Sequence, residues 1–206
     1  MGIVEFDSSQ YTLEYLPQKL RALDACVISC YSVLTRSVQK NELNIDLDTV
    51  QFHQDNIDLF VELAIDAGLI ANRVLLNFMG IKLDNSGLTN EKIALNIEAF
   101  DLQPIPVSDA VKILEGKFPA SELEKLWVES LSTASRSIAH FTERGSQISV
   151  ARLGYACYAT SLLVRKYFLE LKLDADKLPP TIVPSEVIPI LGSVWNSVDP
   201  SATRMC

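Results

Sequence analysis

Four separate stretches of the chain place apolar residues at alternating spacings of three and four positions. The sets, in chain order, are Leu20, Leu23, Val27, Cys30 and Leu34; Ile57, Val61, Ala64, Gly68, Ala71, Leu75 and Phe78; Leu123, Trp127, Leu131, Ala134, Ile138 and Phe141; and Val150, Leu153, Cys157, Thr160, Val164, Tyr167 and Leu171. Because an α-helix has about 3.6 residues per turn, this rhythm turns one face of each helix toward a partner. The sequence therefore predicts four long helices, each spanning roughly 30 Å.

Helices of matched length with apolar seams pack well as a bundle. The turn between the third and fourth helices, residues 143–147, is short, so we expect these two to be antiparallel neighbours. Gly80 is a candidate C-cap for the second helix. Gly68 in the middle of its seam would allow another helix to approach closely. We expect an all-α fold, an antiparallel bundle of four long helices.

Two segments fall outside these helices. Residues 81–118 contain a capped helical candidate over 89–99, a break at Pro104 and Pro106, and a short helix opened by Ser108, which together predict an inserted arm of short helices. Residues 178–206 contain five prolines and several apolar residues, and this pattern predicts an extended strap with at most a short helix, packed on the bundle. With no internal repeat and no second core, residues 1–206 are expected to form a single domain.

Composition narrows the class of function. Of 206 residues, 48% are hydrophobic and 21% are charged, which favours a packed core over disorder. The net charge of −8 works against nonspecific attraction to nucleic acid or anionic membranes. No stretch reaches the ~18 apolar residues of a membrane helix, and no C-x-x-C motif or targeting signal is evident. We expect a cytoplasmic protein that makes no membrane contact.

Residue counts and missing motifs argue against several kinds of catalytic site. The histidines are His53 and His140, too few for a di-metal carboxylate bundle with its two Glu-x-x-His pairs. The sequence has no His-Glu-x-x-His, G-x-x-x-x-G-K-[ST], G-x-G-x-x-G or G-x-S-x-G motif. These absences argue against zinc peptidases and nucleotide folds, and we expect no cofactor.

Two clusters raise the question of a metal. Asp58, Glu62 and Asp66 lie one turn apart on the second helix with Arg73 on nearly the same face, and such a stripe is either solvated or binds a divalent cation. The other cluster contains Cys26 and Cys30, one turn apart on the first helix. These two thiols either pack in the core or bind a metal together with His53, a residue that otherwise precedes the second helix as an exposed or capping side chain. We expect no metal at either cluster.

Arg136 and His140 form the one pair of side chains in the sequence with the chemistry for catalysis. Counted at about 100° per residue from Trp127, both fall on the side of the third helix that faces away from the core. A guanidinium suits a phosphate, and an imidazole titrates near neutral pH. The alternative is that both are surface residues of the helix.

A helical bundle with an arginine followed by a histidine on a late helix resembles the HEPN superfamily, here over roughly residues 12–172. Many HEPN proteins are RNases of toxin and defence systems whose motif pairs across a homodimer. The resemblance implies that Arg136 binds the phosphate and His140 acts in acid–base transfer during 2′-OH attack. The three residues between them are fewer than the family usually has, and Ser137 stands where asparagine is common. HEPN-like bundles without the complete motif look like noncatalytic binding or scaffolding domains.

Three functions follow as hypotheses. The first is an interaction or regulatory module that dimerises or docks a protein partner, because an exposed face beside an apolar strap favours a homodimer. The second is a HEPN-type, metal-independent RNase that uses Arg136 and His140 and has RNA as its substrate. The third is a small-ligand-binding bundle whose pocket is lined by aromatic residues. These are Trp127, Tyr155, Tyr158 and Tyr167.

Overall fold

The computed structural model describes residues 7–35, 43–47, 50–54, 57–91, 95–135 and 148–197. Six helices lie in these ranges. Helix α1 covers residues 8–35, with a first turn Ser8–Gln10, a π-helical segment Tyr11–Tyr15 and the long part Leu16–Thr35. Helices α2, α3 and α4 are Asp58–Phe78, Val107–Ala110 and Ala120–Thr133. Helix α5 covers residues 150–172, as Val150–Val164, a π-helical segment Arg165–Leu169 and Glu170–Lys172, and α6 is Val187–Ser197.

The long helices share one core. Helix α1 packs along α2 and α5, α4 packs against α5 and α2, and α6 lies on α1 and α5. Most of the predicted seam positions are buried in it, and they are Leu20, Leu23, Val27, Cys30, Val61, Gly68, Ala71, Leu75, Phe78, Leu123, Trp127, Leu131, Ala134, Leu153, Cys157, Thr160 and Val164. Ile138 and Phe141, also predicted for the third seam, lie outside the described residues. None of the described helices is long and apolar enough to cross a membrane.

The described part of the chain is mostly helical, and two short β-hairpins that the sequence analysis did not predict accompany the helices there. Strands β1 (Leu43–Leu47) and β2 (Val50–Gln54) pair antiparallel, as do β3 (Ile81–Asp84) and β4 (Gly87–Asn90). The register of the second hairpin sets Asp84 opposite Gly87 across a two-residue loop. Asp84 Oδ1 accepts hydrogen bonds from the backbone N and the hydroxyl of Ser86, both at 2.7 Å, and Gly87 has φ +124°. This local turn chemistry forms the hairpin.

The prediction of a helix over residues 89–99 is wrong. Part of that range belongs to β4, and a 3-10 turn forms later at Ile97–Phe100. Asn90 fixes the end of the hairpin, because its Nδ2 donates to the carbonyl of Ile105 at 2.8 Å and its Oδ1 accepts from the backbone N of Val107 at 3.0 Å. The inserted arm is therefore a hairpin followed by short helical turns.

The proline-rich tail is an irregular segment followed by one helix, α6, of eleven residues. The segment is anchored at Asp24, a carboxylate with 2% exposure on α1. Asp24 Oδ2 accepts from the Thr181 hydroxyl and the Ile182 backbone N, both at 3.1 Å. Arg165 lies 3.5 Å from the same carboxylate and donates to the carbonyls of Pro179 and Pro180. A buried ion pair on α1 and α5 therefore holds the start of the tail.

Candidate protein-binding surface

Helix α2 carries apolar side chains on two opposite faces. Its inner face is buried against the other helices and includes Leu69, Leu75 and Leu76. On the opposite face, Leu63, Ile70 and Val74 are 57%, 43% and 37% exposed. With the exposed Ala67, these three residues lie within about 60° of one another around the helix. We call Leu63, Ala67, Ile70 and Val74 the outer stripe.

The inner face fixes which way α2 faces. Asn72 is fully buried and bridges two other helices: its Nδ2 donates to Ser130 Oγ on α4 at 2.9 Å, and its Oδ1 accepts from Thr160 Oγ1 on α5 at 2.6 Å. A buried amide with both ends satisfied cannot rotate without leaving polar groups unpaired. The network therefore holds the outer stripe on the surface.

Contact with α1 fixes the same helix more closely. A Cβ placed on Gly68 would lie 2.1 Å from the Cβ of Cys26, so the two helices touch where Gly68 has no side chain. At the end of α2, Gly80 adopts φ +80° and donates its N–H to Asn77 O at 2.9 Å. The C-cap itself is Met79, so Gly80 lies one residue beyond its predicted position and supplies the left-handed conformation that follows the cap. These contacts hold the C-terminal half of α2, and none of them involves the outer stripe.

Charged residues border the stripe on one flank. Glu62 and Asp66 are exposed on the N-terminal half of α2, and Arg73 is half-buried on the C-terminal half. Among the described residues, no ion pair includes any of these three side chains. On the other flank, Ala64 is half-buried and Ala71 is buried in the core. The stripe therefore has one charged edge, which is acidic in its N-terminal half and basic in its C-terminal half.

The acidic residues considered as a cation site lie along this same flank. No group of three or more His, Cys, Asp or Glu side chains within the described ranges has the arrangement of a metal site. Asp58 begins α2, so the series Asp58, Glu62 and Asp66 follows successive turns of one helix. These carboxylates therefore lie along one side of a single helix.

The two cysteines on α1 face the core and meet a third thiol. Cys26 Sγ lies 3.9 Å from Cys30 Sγ and 3.7 Å from Cys157 Sγ, and all three are buried as free thiols. The hydrogen bond with Cys26 and burial raise the pKa of Cys157 well above its ordinary value. His53, considered as a third ligand, lies instead in strand β2 opposite Asn44. The thiols pack between α1, α2 and α5.

The aromatic residues proposed to line a ligand pocket occupy packing positions. Trp127 is fully buried and its indole N–H donates to Ala156 O at 3.3 Å. Tyr155 stacks on Phe118 with ring centroids 5.1 Å apart, and its hydroxyl donates to Ile188 O at 3.2 Å. The latter bond ties α5 to α6. Tyr158 and Tyr167 are half-buried against the same core. An open cleft on the described surface is lined by residues 112 and 115–120, which include none of these four.

Arg136 and His140 lie outside the described residues. The structure neither brings them together nor separates them, and their role stays a prediction.

Sequence reasoning missed the outer stripe. A signal was present, since Leu63, Ala67, Ile70 and Val74 repeat the helical spacing in the same segment that carries the inner seam. Two overlapping series on one helix indicate two contact faces.

Comparison of the chain with protein-family models, with curated proteins and with solved structures finds no match.

Proposed function

We propose that this protein is an interaction module that docks a protein partner through the outer stripe of α2, with its long helices forming an antiparallel bundle as the scaffold. The observation that carries the proposal is the alignment of Leu63, Ile70 and Val74 on the face opposite the buried one. Scattered exposed apolar residues are ordinary, whereas an aligned set bordered by charges is typical of a contact surface. A helix partner reads such a stripe through positions spaced by three and four residues.

The surface is organised before binding. The Asn72 network and the close contact at Gly68 hold the backbone of α2 in place. A preformed surface loses little conformational entropy on association, so more of the contact energy is expressed as affinity. The side chains of the outer stripe differ in size, from Ala67 to Leu63, and an apolar face of a partner packs against them.

Charge favours protein over nucleic acid as the partner. The net charge is −8, and two carboxylates, Glu62 and Asp66, border the stripe. Nucleic-acid binding needs cations that neutralise phosphates, whereas apolar stripes with mixed-charge borders suit protein helices.

Site-specific photocrosslinking in the cells from which the gene comes tests the docking proposal. We expect p-benzoylphenylalanine at position 70 to give a discrete covalent adduct, because Ile70 lies in the middle of the stripe. The matched control places the same group at Leu171, which is 62% exposed on α5 but belongs to no stripe. No adduct at position 70, or an equal one at position 171, contradicts docking through this face.

The resemblance to HEPN RNases supplies the alternative function. It rests on Arg136 and His140, and it makes a definite prediction of metal-independent cleavage of RNA. Under the docking proposal, we expect purified protein to leave mixed RNA intact in the presence of a metal chelator, as judged on denaturing gels. Cleavage that disappears in His140→Ala would replace docking by catalysis as the proposed function.

A further inference from the structure

We propose that the outer stripe binds a second copy of this chain, with α2 packed antiparallel on α2 of the second copy about a two-fold axis that passes between Ala67 and Ile70. This inference rests on the docking function proposed above and names its partner. Two features of the helix lead to it, namely the spacing of the stripe and the order of the bordering charges.

The spacing of the stripe reads the same in both directions. Leu63, Ala67, Ile70 and Val74 are separated by four, three and four positions. An antiparallel copy centred between Ala67 and Ile70 therefore sets Leu63 opposite Val74 of the second copy, and Ala67 opposite Ile70. A small side chain meets a large one in the middle, and two large pairs close the ends. Alternation of three and four is also the spacing of a helix–helix seam.

The charges are complementary in that arrangement. A two-fold axis perpendicular to both helices brings the same flank of each copy together. Asp66 and Arg73 each precede a stripe residue by one position, so they occupy the same place around the helix on either side of the axis. The antiparallel copy then sets Arg73 within about 3 Å, measured along the helix axis, of both Asp66 and Glu62 of the second copy. Each dimer contains this cluster twice.

A parallel arrangement lacks that complementarity. A two-fold axis along the helices would bring opposite flanks together and leave Asp66 and Arg73 without a charged partner on the second copy. The order of the charges thus selects the antiparallel orientation.

Analytical ultracentrifugation of the full chain tests the proposal, with two charge reversals as variants. A single helix pair is at the small end of stable interfaces, so we expect a dimer that dissociates on dilution. Arg73→Glu and Asp66→Arg should each weaken it by about tenfold or more, because like charges then face each other across the axis. An equimolar mixture of the two variants should dimerise more tightly than either variant alone, because Arg73 of one variant then faces Glu62 and Asp66 of the other. The tighter mixed dimer would also show that both variants are folded.

Cysteine crosslinking tests the orientation. In a Cys206→Ser background, Ala67→Cys mixed with Ile70→Cys should crosslink efficiently with a short bismaleimide. Leu63→Cys should not crosslink to itself, because the antiparallel register separates the two positions by about 16 Å. Self-crosslinking at position 63 would overturn the antiparallel arrangement.

The outcomes separate this inference from the function on which it rests. A chain that stays monomeric at all concentrations, together with a position-70 adduct of another protein, overturns the second copy and keeps the docking function. The absence of any adduct at position 70 contradicts both the docking function and the second copy as its partner. An adduct of about twice 22.9 kDa together with rescue by the mixed variants supports both.

Discussion

Replacing Asp24 by alanine is expected to lower the free energy of unfolding by about 3 to 5 kcal/mol, because it removes one partner of a buried ion pair. The carboxylate is 2% exposed and Arg165 is 16% exposed by side chain, with 3.5 Å between the charged atoms. In the variant, the guanidinium stays partly buried, with the Ser161 hydroxyl and the carbonyls of Pro179 and Pro180 as its remaining acceptors. The Thr181 hydroxyl and the Ile182 N–H also lose their acceptor.

Urea unfolding followed by circular dichroism measures this loss, and an exposed ion pair supplies the matched control. Asp109 lies 3.2 Å from Lys112 with both side chains at least half exposed, so Asp109→Ala should change stability by less than about 1 kcal/mol. The double variant Asp24→Leu/Arg165→Met replaces both charges by apolar groups and should recover much of the loss. Equal effects of Asp24→Ala and Asp109→Ala would show that the anchor of the tail contributes little.

A second readout separates loss of the anchor from general destabilisation. The amide of Ile182 donates to Asp24, so its hydrogen exchange should accelerate in Asp24→Ala under conditions where the amide protons of α1 remain protected. Uniform acceleration in both segments would indicate global unfolding instead.

The sequence predicted the inner faces of the long helices well, because periodicity records burial directly. Three residues at predicted seam positions are fully buried, namely Leu23, Leu75 and Val164. Gly80 also follows from sequence, since an achiral residue after an apolar series favours the positive φ that ends a helix. Local rules therefore sufficed wherever one residue or one helical turn determined the structure.

The region after α2 shows where local rules compete. Residues 89–99 have the composition of a capped helix, but the turn formed by Asp84, Ser86 and Gly87 determines a hairpin that takes up the first of them. Asn90 then bonds to Ile105 and Val107, residues that a local pattern cannot pair with it. Hairpin register and long-range polar contacts override helical preference in this segment.

The candidate surface was hidden for a different reason. Helix α2 has apolar residues on two faces. Periodicity identified the longer, buried series, but it does not tell whether the shorter second series is covered. The position of the helix is fixed by Asn72, which has Ser130 and Thr160 as partners from two other helices. The buried contacts of Asp24 could not be predicted from the sequence either, because its partner Thr181 is 157 positions away. Buried polar pairs of this kind give no periodic signal.

Replacing Gly68 by alanine should lower the free energy of unfolding by about 3 kcal/mol, at the upper end of the usual cost of overpacking. Alanine is the better helix former by about 1 kcal/mol, so propensity alone predicts the opposite sign. The new Cβ would stand 2.1 Å from Cys26 Cβ and 2.7 Å from Cys26 Sγ. The sulfur can rotate away, but a Cβ is fixed to the backbone, so α1 and α2 must separate.

Variants of Cys26 distinguish a clash with its Cβ from one with its sulfur. Cys26→Ala removes only the sulfur, and Gly68→Ala should remain costly in that background. Cys26→Gly removes the Cβ as well, and the cost of Gly68→Ala should then fall to near zero or change sign. Ala67→Gly on the exposed face is the control for propensity, with an expected loss of about 1 kcal/mol. Thermal and urea unfolding of the single and double variants give two double-mutant cycles, one with Cys26→Ala and one with Cys26→Gly, whose coupling energies measure the contact. If Gly68→Ala is neutral or stabilising in the wild-type background, α1 and α2 do not touch as closely as this structure has them, and the orientation of the outer stripe loses one of its two supports.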